Sequence, residues 1–382
     1  MRSVVGIGLL GCGTVGGGVA LCLIRDAAEI EARTGVAFDL RRIAVRDLHK
    51  ARAALLDGVS FTDRGSEVVE DPEIDLVIEC IGGTTVASEA IEEALDRGKH
   101  VVTANKDAIA TQGPRLSALA AARSAALYYE AAACGAIPIV RALSESLAAD
   151  HILAIAGVVN GTCTAVLSAM EEGAEYAEAV AEARRLGYAE ADPSSDLGGA
   201  DAAHKLALLL QLGFRSAVVS PRIPRVGIEA IGKRDITRAK MCGYRIRLIA
   251  AAARAGREIL AQVSPMLVVQ DHPFAQARGP QNVICVVARD AGTILMTGAG
   301  AGADATASAV MGDVACVLRA VAQRHDLSRG APRGLAAPEA VIDFGERFAQ
   351  HPELPHLRIW DDEPRDPRTA VAGRIPSGAR RA

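Results

Sequence analysis

The chain has 382 residues, half of them hydrophobic and 23% charged, with a formal net charge of −4. This length exceeds what one hydrophobic core usually organises, so we expect two domains. The slightly acidic balance and an aromatic content of 3% argue against nucleic acid as a partner, and no polybasic segment indicates binding to a membrane surface.

The eight cysteines are scattered and form no C-x-x-C pair. This pattern argues against a zinc site or a disulfide framework and predicts free thiols in a reducing cytoplasm. Residues 3–24 carry no charge and are long enough to cross a membrane, but seven glycines interrupt them. We therefore predict a strand, a tight turn and a helix there, not a membrane span.

The first motif is a glycine-rich turn in residues 11–16, GCGTVG. A buried strand is predicted over 4–10 before it, and an apolar helix to about residue 33 after it, which is the context that G-x-G-x-x-G requires. The first two glycines permit a tight turn and close approach to a pyrophosphate, and the third permits close helix–strand packing. The pattern favours dinucleotide binding, with a ligand-free turn as the alternative. The residues expected to contact the cofactor are Gly11, Gly13, Thr14, Val15 and Gly16.

The charges after the second predicted strand, residues 38–45, bear on the choice of cofactor. In this fold a carboxylate there favours NAD through the ribose hydroxyls, and a cation accommodates the 2′-phosphate of NADP. The sequence has Arg46 first, then Asp47 and Lys50. We predict NADP as the preferred cofactor, with NAD also usable; solvated loop charges are the alternative interpretation.

Further strands are predicted over 74–81, 100–103 and 126–131, with helices between them. This alternation predicts an α/β fold with a Rossmann-type doubly wound parallel sheet. Ligands of such sheets bind beyond the carboxyl ends of the strands. The residues this places in the cofactor crevice are Gly82, Thr103, Asn105 and Lys106.

The pattern changes after Glu130. Predicted strands over 152–159, 247–253, 260–269 and 282–288 indicate a second, α+β domain for substrate binding and dimerisation. In the turn Asn160-Gly161-Thr162, the threonine can cap the next helix. The glycine-rich run 298–302 is either a second phosphate-facing turn or a flexible joint. The predicted organisation is a dinucleotide-binding domain over 1–131, the second domain over 132–300, a helix returning to the first domain over 301–327, and a tail over 328–382 whose last part is disordered.

The acidic stretch 187–205, GYAEADPSSDLGGADAAHK, leads from a loop into an apolar helix. Asp201 and Lys205 are spaced i, i+4, and as a surface pair they would contribute about 0.2–0.5 kcal/mol. A divalent metal held with His204 is a second reading, although the spacing matches no EF-hand. The third reading is recognition of a cationic small molecule, with Lys205 as proton donor. Because a carbonyl that receives a hydride needs a proton, this reading predicts a carbonyl reductase for an amino-acid-like substrate.

Several motifs together resemble the homoserine dehydrogenase family over about residues 4–325. They are GLLGCGTVGGGV, VVTANK, YEAAACGAIPI, GVVNGT, the acidic stretch itself, and GAGAGADATASAV. The resemblance implies reversible, NAD(P)H-dependent reduction of L-aspartate 4-semialdehyde to L-homoserine, on the route to threonine and methionine. It also implies a cytoplasmic homodimer that pairs through the second sheet.

Residue roles follow from the resemblance. Lys205 matches the family's general acid/base, and Asp201 matches the acid that supports it. The positions matching substrate contacts are Glu190, Asp192, Asp196, Tyr188 and Lys106. Lys106 also meets the cofactor, as Gly302 is expected to do. Glu130, with backbone groups near Ala133, Gly135 and Ile137, matches a sodium site.

The chain departs from the family pattern at two places. Cys163-Thr164-Ala165 follows Thr162 where the family has Thr or Ser, then Asn and an aromatic residue, and Cys134-Gly135-Ala136 replaces Ala-Gly-Gly. We expect no feedback by threonine through a C-terminal regulatory domain. The alternatives are a paralogous dehydrogenase of another small amino acid or aldehyde, and a non-catalytic NADP-binding sensor. The Asp201/Lys205 pair speaks against the sensor.

Overall fold

The structure, a computed structural model, describes residues 4–216, 218–256, 258–322, 341–342 and 357–359. Its first sheet contains the strands β1 Val4–Leu10, β2 Ala37–Ala44, β3 Ser60–Thr62, β4 Leu76–Glu79, β5 His100–Thr103 and β6 Leu127–Tyr128. All pairings are parallel, and the order is β3-β2-β1-β4-β5-β6. This is the doubly wound Rossmann order, so the predicted fold class of the first unit is confirmed.

The second sheet contains β7 Ile152–Val158, β8 Tyr244–Ala255, β9 Glu258–Val269, β10 Gln281–Ala288, β11 Gly292–Ala299, β12 Val341–Ile342 and β13 Leu357–Ile359. Its order is β11-β10-β7-β8-β9-β12, and β13 also pairs with β9. The strands β7 to β11 pair in antiparallel fashion. Together with the helices that pack on it, this sheet gives the predicted α+β unit.

The helices are α1 Thr14–Arg25, α2 Ala27–Thr34, α3 Ser66–Val69, α4 Val86–Asp96, α5 Lys106–Ala122, α6 Ile139–Arg141, α7 Gly161–Glu171, α8 Tyr176–Arg185, α9 Ser194–Leu197, α10 Ala200–Phe214, α11 Lys233–Met241, α12 Pro273–Gln276 and α13 Ala303–Ala322. The single first helix predicted to about residue 33 is wrong. At Asp26 the backbone leaves the helical region with φ −105° and ψ 15°, which ends α1 and begins α2.

Helix α13 returns from the second sheet to the first. Among the described residues it is the one helix long and apolar enough to cross a membrane. Its side chains Val310, Val314 and Leu318 are buried in the same apolar cluster as Val5 and Val19. Such packing is that of a core helix. The predicted domain limits stay predictions, and the predicted disorder at the end of the tail lies outside the described residues.

Candidate active site

The glycine-rich turn joins β1 to α1 at the carboxyl edge of the first sheet. Gly11 has φ +92°, and a Cβ there would lie 2.8 Å from the Cys80 carbonyl oxygen. A Cβ on Gly16 would overlap the Gly11 carbonyl oxygen, so both positions require glycine. At Gly13, by contrast, no atom lies within 4 Å of the position of a Cβ. No side chain caps the start of α1. Open space in front of free N–H groups fits the phosphates of a dinucleotide.

A buried carboxylate organises the neighbouring loop. Glu79, at the end of β4, is fully buried and accepts hydrogen bonds from Ile81 N at 2.6 Å and Gly82 N at 2.9 Å. The Thr103 hydroxyl donates to its other oxygen at 2.5 Å. Thr103 therefore supports the crevice through Glu79, while the space around Gly82 is open. Glu79 was not predicted as a site residue, although a charged residue within an apolar strand is a signal.

The charges beyond β2 lie on an exposed loop that includes Arg46 and Lys50. The Asp47 carboxylate accepts a hydrogen bond from His49 N at 2.9 Å, within its own loop. Arg52 donates to the Asp47 carbonyl oxygen at 2.6 Å and lies 4.8 Å from the ring centroid of Phe61. These contacts fix the loop. They engage one oxygen of the Asp47 carboxylate, and Asp47 and Arg46 are both exposed.

Two lysines predicted from separate motifs meet at Asp201. Lys205 Nζ lies 2.9 Å from Asp201 Oδ2, and Lys106 Nζ contacts Oδ1. Asp201 is in the first turn of α10 and only 4% exposed. Lys106 begins α5, whose N-cap is Asn105. The helix starts therefore deliver both ammonium groups to one buried carboxylate.

Electrostatics keep this cluster charged. Burial alone would raise the pKa of Asp201, but Lys205 and Lys106 together lower it well below its usual range. Burial would likewise lower the pKa of Lys205, but the Asp201 charge outweighs burial and raises it. Asp201 and Lys205 therefore stay ionised as a pair.

The Lys205 ammonium has one N–H left for a substrate. It donates to the Val159 carbonyl oxygen at 2.8 Å in addition to Asp201. An ammonium group has three N–H donors, so one remains beyond these two contacts. The side chain is 12% exposed. A substrate oxygen that reaches this position can accept that remaining hydrogen bond.

Asn160 connects the cluster to α7, and it is the residue that caps this helix. The predicted cap on Thr162 is wrong: the Asn160 side chain caps α7, accepting from Cys163 N at 2.8 Å. Its amide nitrogen donates to Asp196 Oδ1 at 2.7 Å and to Asp201 Oδ2 at 2.9 Å. An Asn directly before a helix was the available signal.

The substrate-binding candidates divide into two groups. Asp196 lies in the cluster: besides Asn160, the Thr162 hydroxyl is 3.1 Å from its Oδ2. That hydroxyl is also 2.6 Å from the Tyr188 carbonyl oxygen, which ties the acidic loop to α7. Glu190 and Asp192, by contrast, are exposed on the loop, and the Asp192 carboxylate accepts from Ser194 N at 3.1 Å.

The predicted sodium site is built around Glu130, which is 4% exposed. Its two carboxylate oxygens accept from Val140 N at 2.8 Å and Arg141 N at 2.9 Å. Gly135 has φ +60° and abuts the Ala299 carbonyl, so this loop packs against the glycine-rich run 298–302. An ion here would be held chiefly by backbone carbonyl oxygens, such as those of Ala133 and Gly135. The Ile137 carbonyl oxygen already accepts from Ile139 N at 2.8 Å.

The divalent-metal reading of the acidic stretch gains no support. Within the described ranges no group of three or more His, Cys, Asp or Glu side chains could hold a metal ion. His204 does not contact these carboxylates; its Nδ1 lies 3.6 Å from Asp107 Oδ1. The remaining expected cofactor contact, Gly302, has φ +112° and open space around it, at the start of α13.

A dinucleotide-binding sheet whose crevice residue Lys106 shares the Asp201 carboxylate with Lys205 is the architecture of an NAD(P)-dependent oxidoreductase. The family model described as the NAD binding domain of homoserine dehydrogenase matches residues 11–130, and the homoserine dehydrogenase model matches 138–315. A homoserine dehydrogenase from Neisseria gonorrhoeae is 41% identical over 319 residues, which cover 83% of this chain and 73% of that protein. The chain belongs to the homoserine dehydrogenase family.

Solved structures agree with this assignment. A homoserine dehydrogenase from Thiobacillus denitrificans matches with a TM-score of 0.83 and 40% identity, covering 89% of this chain and 79% of that one. A hyperthermophilic archaeal homoserine dehydrogenase in complex with NADPH matches with a TM-score of 0.68 and 27% identity. The match covers 81% of this chain and 96% of that one. The predicted family and the NAD(P)-dependent oxidoreductase class are therefore confirmed, and nothing favours the sensor or the paralogous dehydrogenase.

Proposed function

We propose that the chain catalyses the reversible conversion of L-aspartate 4-semialdehyde to L-homoserine, with Lys205 as general acid/base. The observation that carries this proposal is the state of Lys205. Its ammonium is buried, kept charged by Asp201, and left with one N–H after its bonds to Asp201 and Val159. A proton donor held in that way suits a carbonyl oxygen that becomes a hydroxyl.

The protein groups divide the remaining work. When bound, the nicotinamide supplies the hydride in the reductive direction. Lys205 gives its proton to the carbonyl oxygen, and Asp201 holds Lys205 in position and charged. Asp196, with Glu190 and Asp192 on the loop after Tyr188, offers negative charge for the substrate ammonium. Lys106 offers positive charge for the substrate carboxylate and for the cofactor.

For the cofactor we favour NADP over NAD. Thr14, Val15 and the glycines at 11, 13 and 16 would hold the pyrophosphate at the start of α1, and Gly302 would face it across the crevice. Arg46 is exposed beyond β2, where the 2′-phosphate belongs in this fold. The Asp47 carboxylate, which could instead bind the ribose hydroxyls of NAD, has one of its two oxygens engaged by His49 N.

The assembly and the setting are part of the same proposal. We expect a homodimer that pairs through the second sheet, and a sodium ion held by the loop of Glu130, Ala133, Gly135 and Ile137. The enzyme would act in the cytoplasm on the route to threonine and methionine. These expectations rest on the resemblance of the motifs to the family.

The direct test is a steady-state assay of L-homoserine oxidation, run with NADP and with NAD separately. Turnover with at least one cofactor, and a higher kcat/KM with NADP, is expected. L-Serine and L-threonine serve as comparison substrates for the paralogue hypothesis, since both carry a hydroxyl and the same charged groups. Absence of homoserine turnover with either cofactor, in folded protein that binds NADP, would overturn the proposal in favour of the sensor.

A further inference from the structure

A second polar cavity lies at the far end of α7 from the catalytic cluster. Its volume is about 230 Å³, and it is enclosed by the last turns of α7 and α11 and by the start of β8. Because α7 has 11 residues and rises about 1.5 Å per residue, roughly 15 Å separate this end from Asn160. The cavity is thus distinct from the site of Lys205.

The base of the cavity is rich in guanidinium groups. Glu171 faces three of them: Arg247 Nη1 at 2.6 Å, Arg245 Nη1 at 3.1 Å and Arg278 Nη1 at 3.9 Å. The Arg247 side chain is fully buried, whereas Arg245 and Arg278 are 25% and 44% exposed. Arg278 Nη1 also donates to the Ala275 and Ala277 carbonyl oxygens, at 3.2 Å and 3.1 Å. A guanidinium has five N–H donors, so donors on Arg245 and Arg278 remain for another acceptor.

Two further side chains add donors to the lining. Lys240, in the last turn of α11, is exposed at the mouth of the cavity. Ser168 is only 8% exposed, and its hydroxyl is buried without a hydrogen-bond partner among the described residues. Glu172 is the one other acidic lining residue. Counting Arg247 beneath the lining, four cations stand against two carboxylates, which leaves a net charge of +2.

We propose that this cavity binds a small oxyanion, carrying either a phosphate or a carboxylate group. Its oxygen atoms would accept hydrogen bonds from Arg245, Arg278 and Lys240, and would satisfy the Ser168 hydroxyl. Guanidinium groups recognise both oxyanions because their planar N–H pairs match the spacing of two oxygens. The volume is below the roughly 300–1,000 Å³ of pockets for drug-sized ligands, so the ligand is a small one.

Thermal unfolding of the protein saturated with NADP tests this site, since the cofactor then occupies the phosphate-binding crevice. Potassium phosphate and potassium malonate are titrated against potassium chloride at constant ionic strength. We expect one of the two oxyanions to raise Tm saturably by about 2 °C over chloride, because a ligand of the native state stabilises it in proportion to ln(1 + [L]/Kd). A larger effect of phosphate or of malonate identifies the preferred group.

The variants Lys240→Gln and Arg278→Gln should each lose most of this shift. Both side chains are exposed, so the folded state should persist, which unchanged Tm values in chloride would establish. Lys233→Gln is the matched control: it removes one positive charge from the first residue of the same helix, outside the cavity lining, and should keep the full shift. An equal shift in all four proteins, or no difference between the oxyanions and chloride, would overturn the proposal.

Discussion

Replacing Lys205 by alanine tests the central role assigned to the buried ammonium. A lost acid–base group typically costs between about 100-fold and 10,000-fold in kcat, or roughly 2.7–5.4 kcal/mol of transition-state stabilisation. The loss of folding stability in this variant should be smaller than the loss of transition-state stabilisation. Asp201 keeps Lys106 and Asn160 as partners, and the Val159 carbonyl loses one hydrogen bond, worth about 1 kcal/mol. The variant should therefore fold, bind NADP nearly as tightly as the wild type, and turn over slowly.

The assay follows kcat, KM and the pH profile of homoserine oxidation. Because Asp201 raises the pKa of Lys205, the lysine accepts a proton readily only at alkaline pH, and wild-type oxidation should accelerate with pH there. Lys205→Ala should be slow and lack this acceleration. Asp201→Asn should lower kcat through Lys205 and raise KM through Lys106, and in the double variant kcat should fall no further than in Lys205→Ala. Wild-type turnover in Lys205→Ala would refute the reasoning and return Lys205 to a structural role.

Three further predictions concern the cofactor site and stability. Arg46→Ala should weaken NADP by about tenfold to a hundredfold, the value of a charge-assisted contact, and NAD much less; an equal loss in titrations of both cofactors would remove the phosphate role. Gly13→Ala should keep the wild-type Tm and weaken NADP, whereas Gly16→Ala should lower Tm by several degrees because its methyl group would meet the Gly11 carbonyl. Burial lowers the pKa of His100, whose Nδ1 accepts from Ala126 N at 3.1 Å. Its contribution to stability should be present above the ordinary pKa of 6.5 and be lost as pH falls below it; denaturant unfolding of His100→Asn should show a weaker acid dependence, and an unchanged one would contradict this.

The regular part of the fold could be predicted because its signal is local. The bounds of β1 and β5 agree with the predicted 4–10 and 100–103. Strand β3 has three residues and is too short to show an alternation of polar and apolar positions in the sequence. Strand β11 alternates exposed and half-buried positions, but its terminal Gly298 and Ala299 belong to the glycine-rich run that we interpreted as a loop. Short strands and strands ending in glycine depend on their neighbours, which the local pattern does not contain.

The site could be predicted only in part, for a related reason. The i, i+4 spacing of Asp201 and Lys205 predicts their contact, since it follows from helix geometry alone. Lys106 is 95 residues away from Asp201 along the chain, and no local pattern pairs them. The resemblance to a family assigned Lys106 to the same site. It did not indicate that the two lysines each contact one oxygen of the Asp201 carboxylate.

Asn160 explains how two carboxylates can stand beside each other in that site. The Asp196 and Asp201 carboxylates would repel each other at close range. The amide nitrogen of Asn160 donates one proton to each of them, at 2.7 Å and 2.9 Å. Because this bridge is neutral, Asp201 can hold both lysines through its two oxygens, while Asp196 accepts from the Thr162 hydroxyl instead. A second carboxylate in direct contact with Lys205 would take up its remaining N–H, which the developing substrate oxyanion needs.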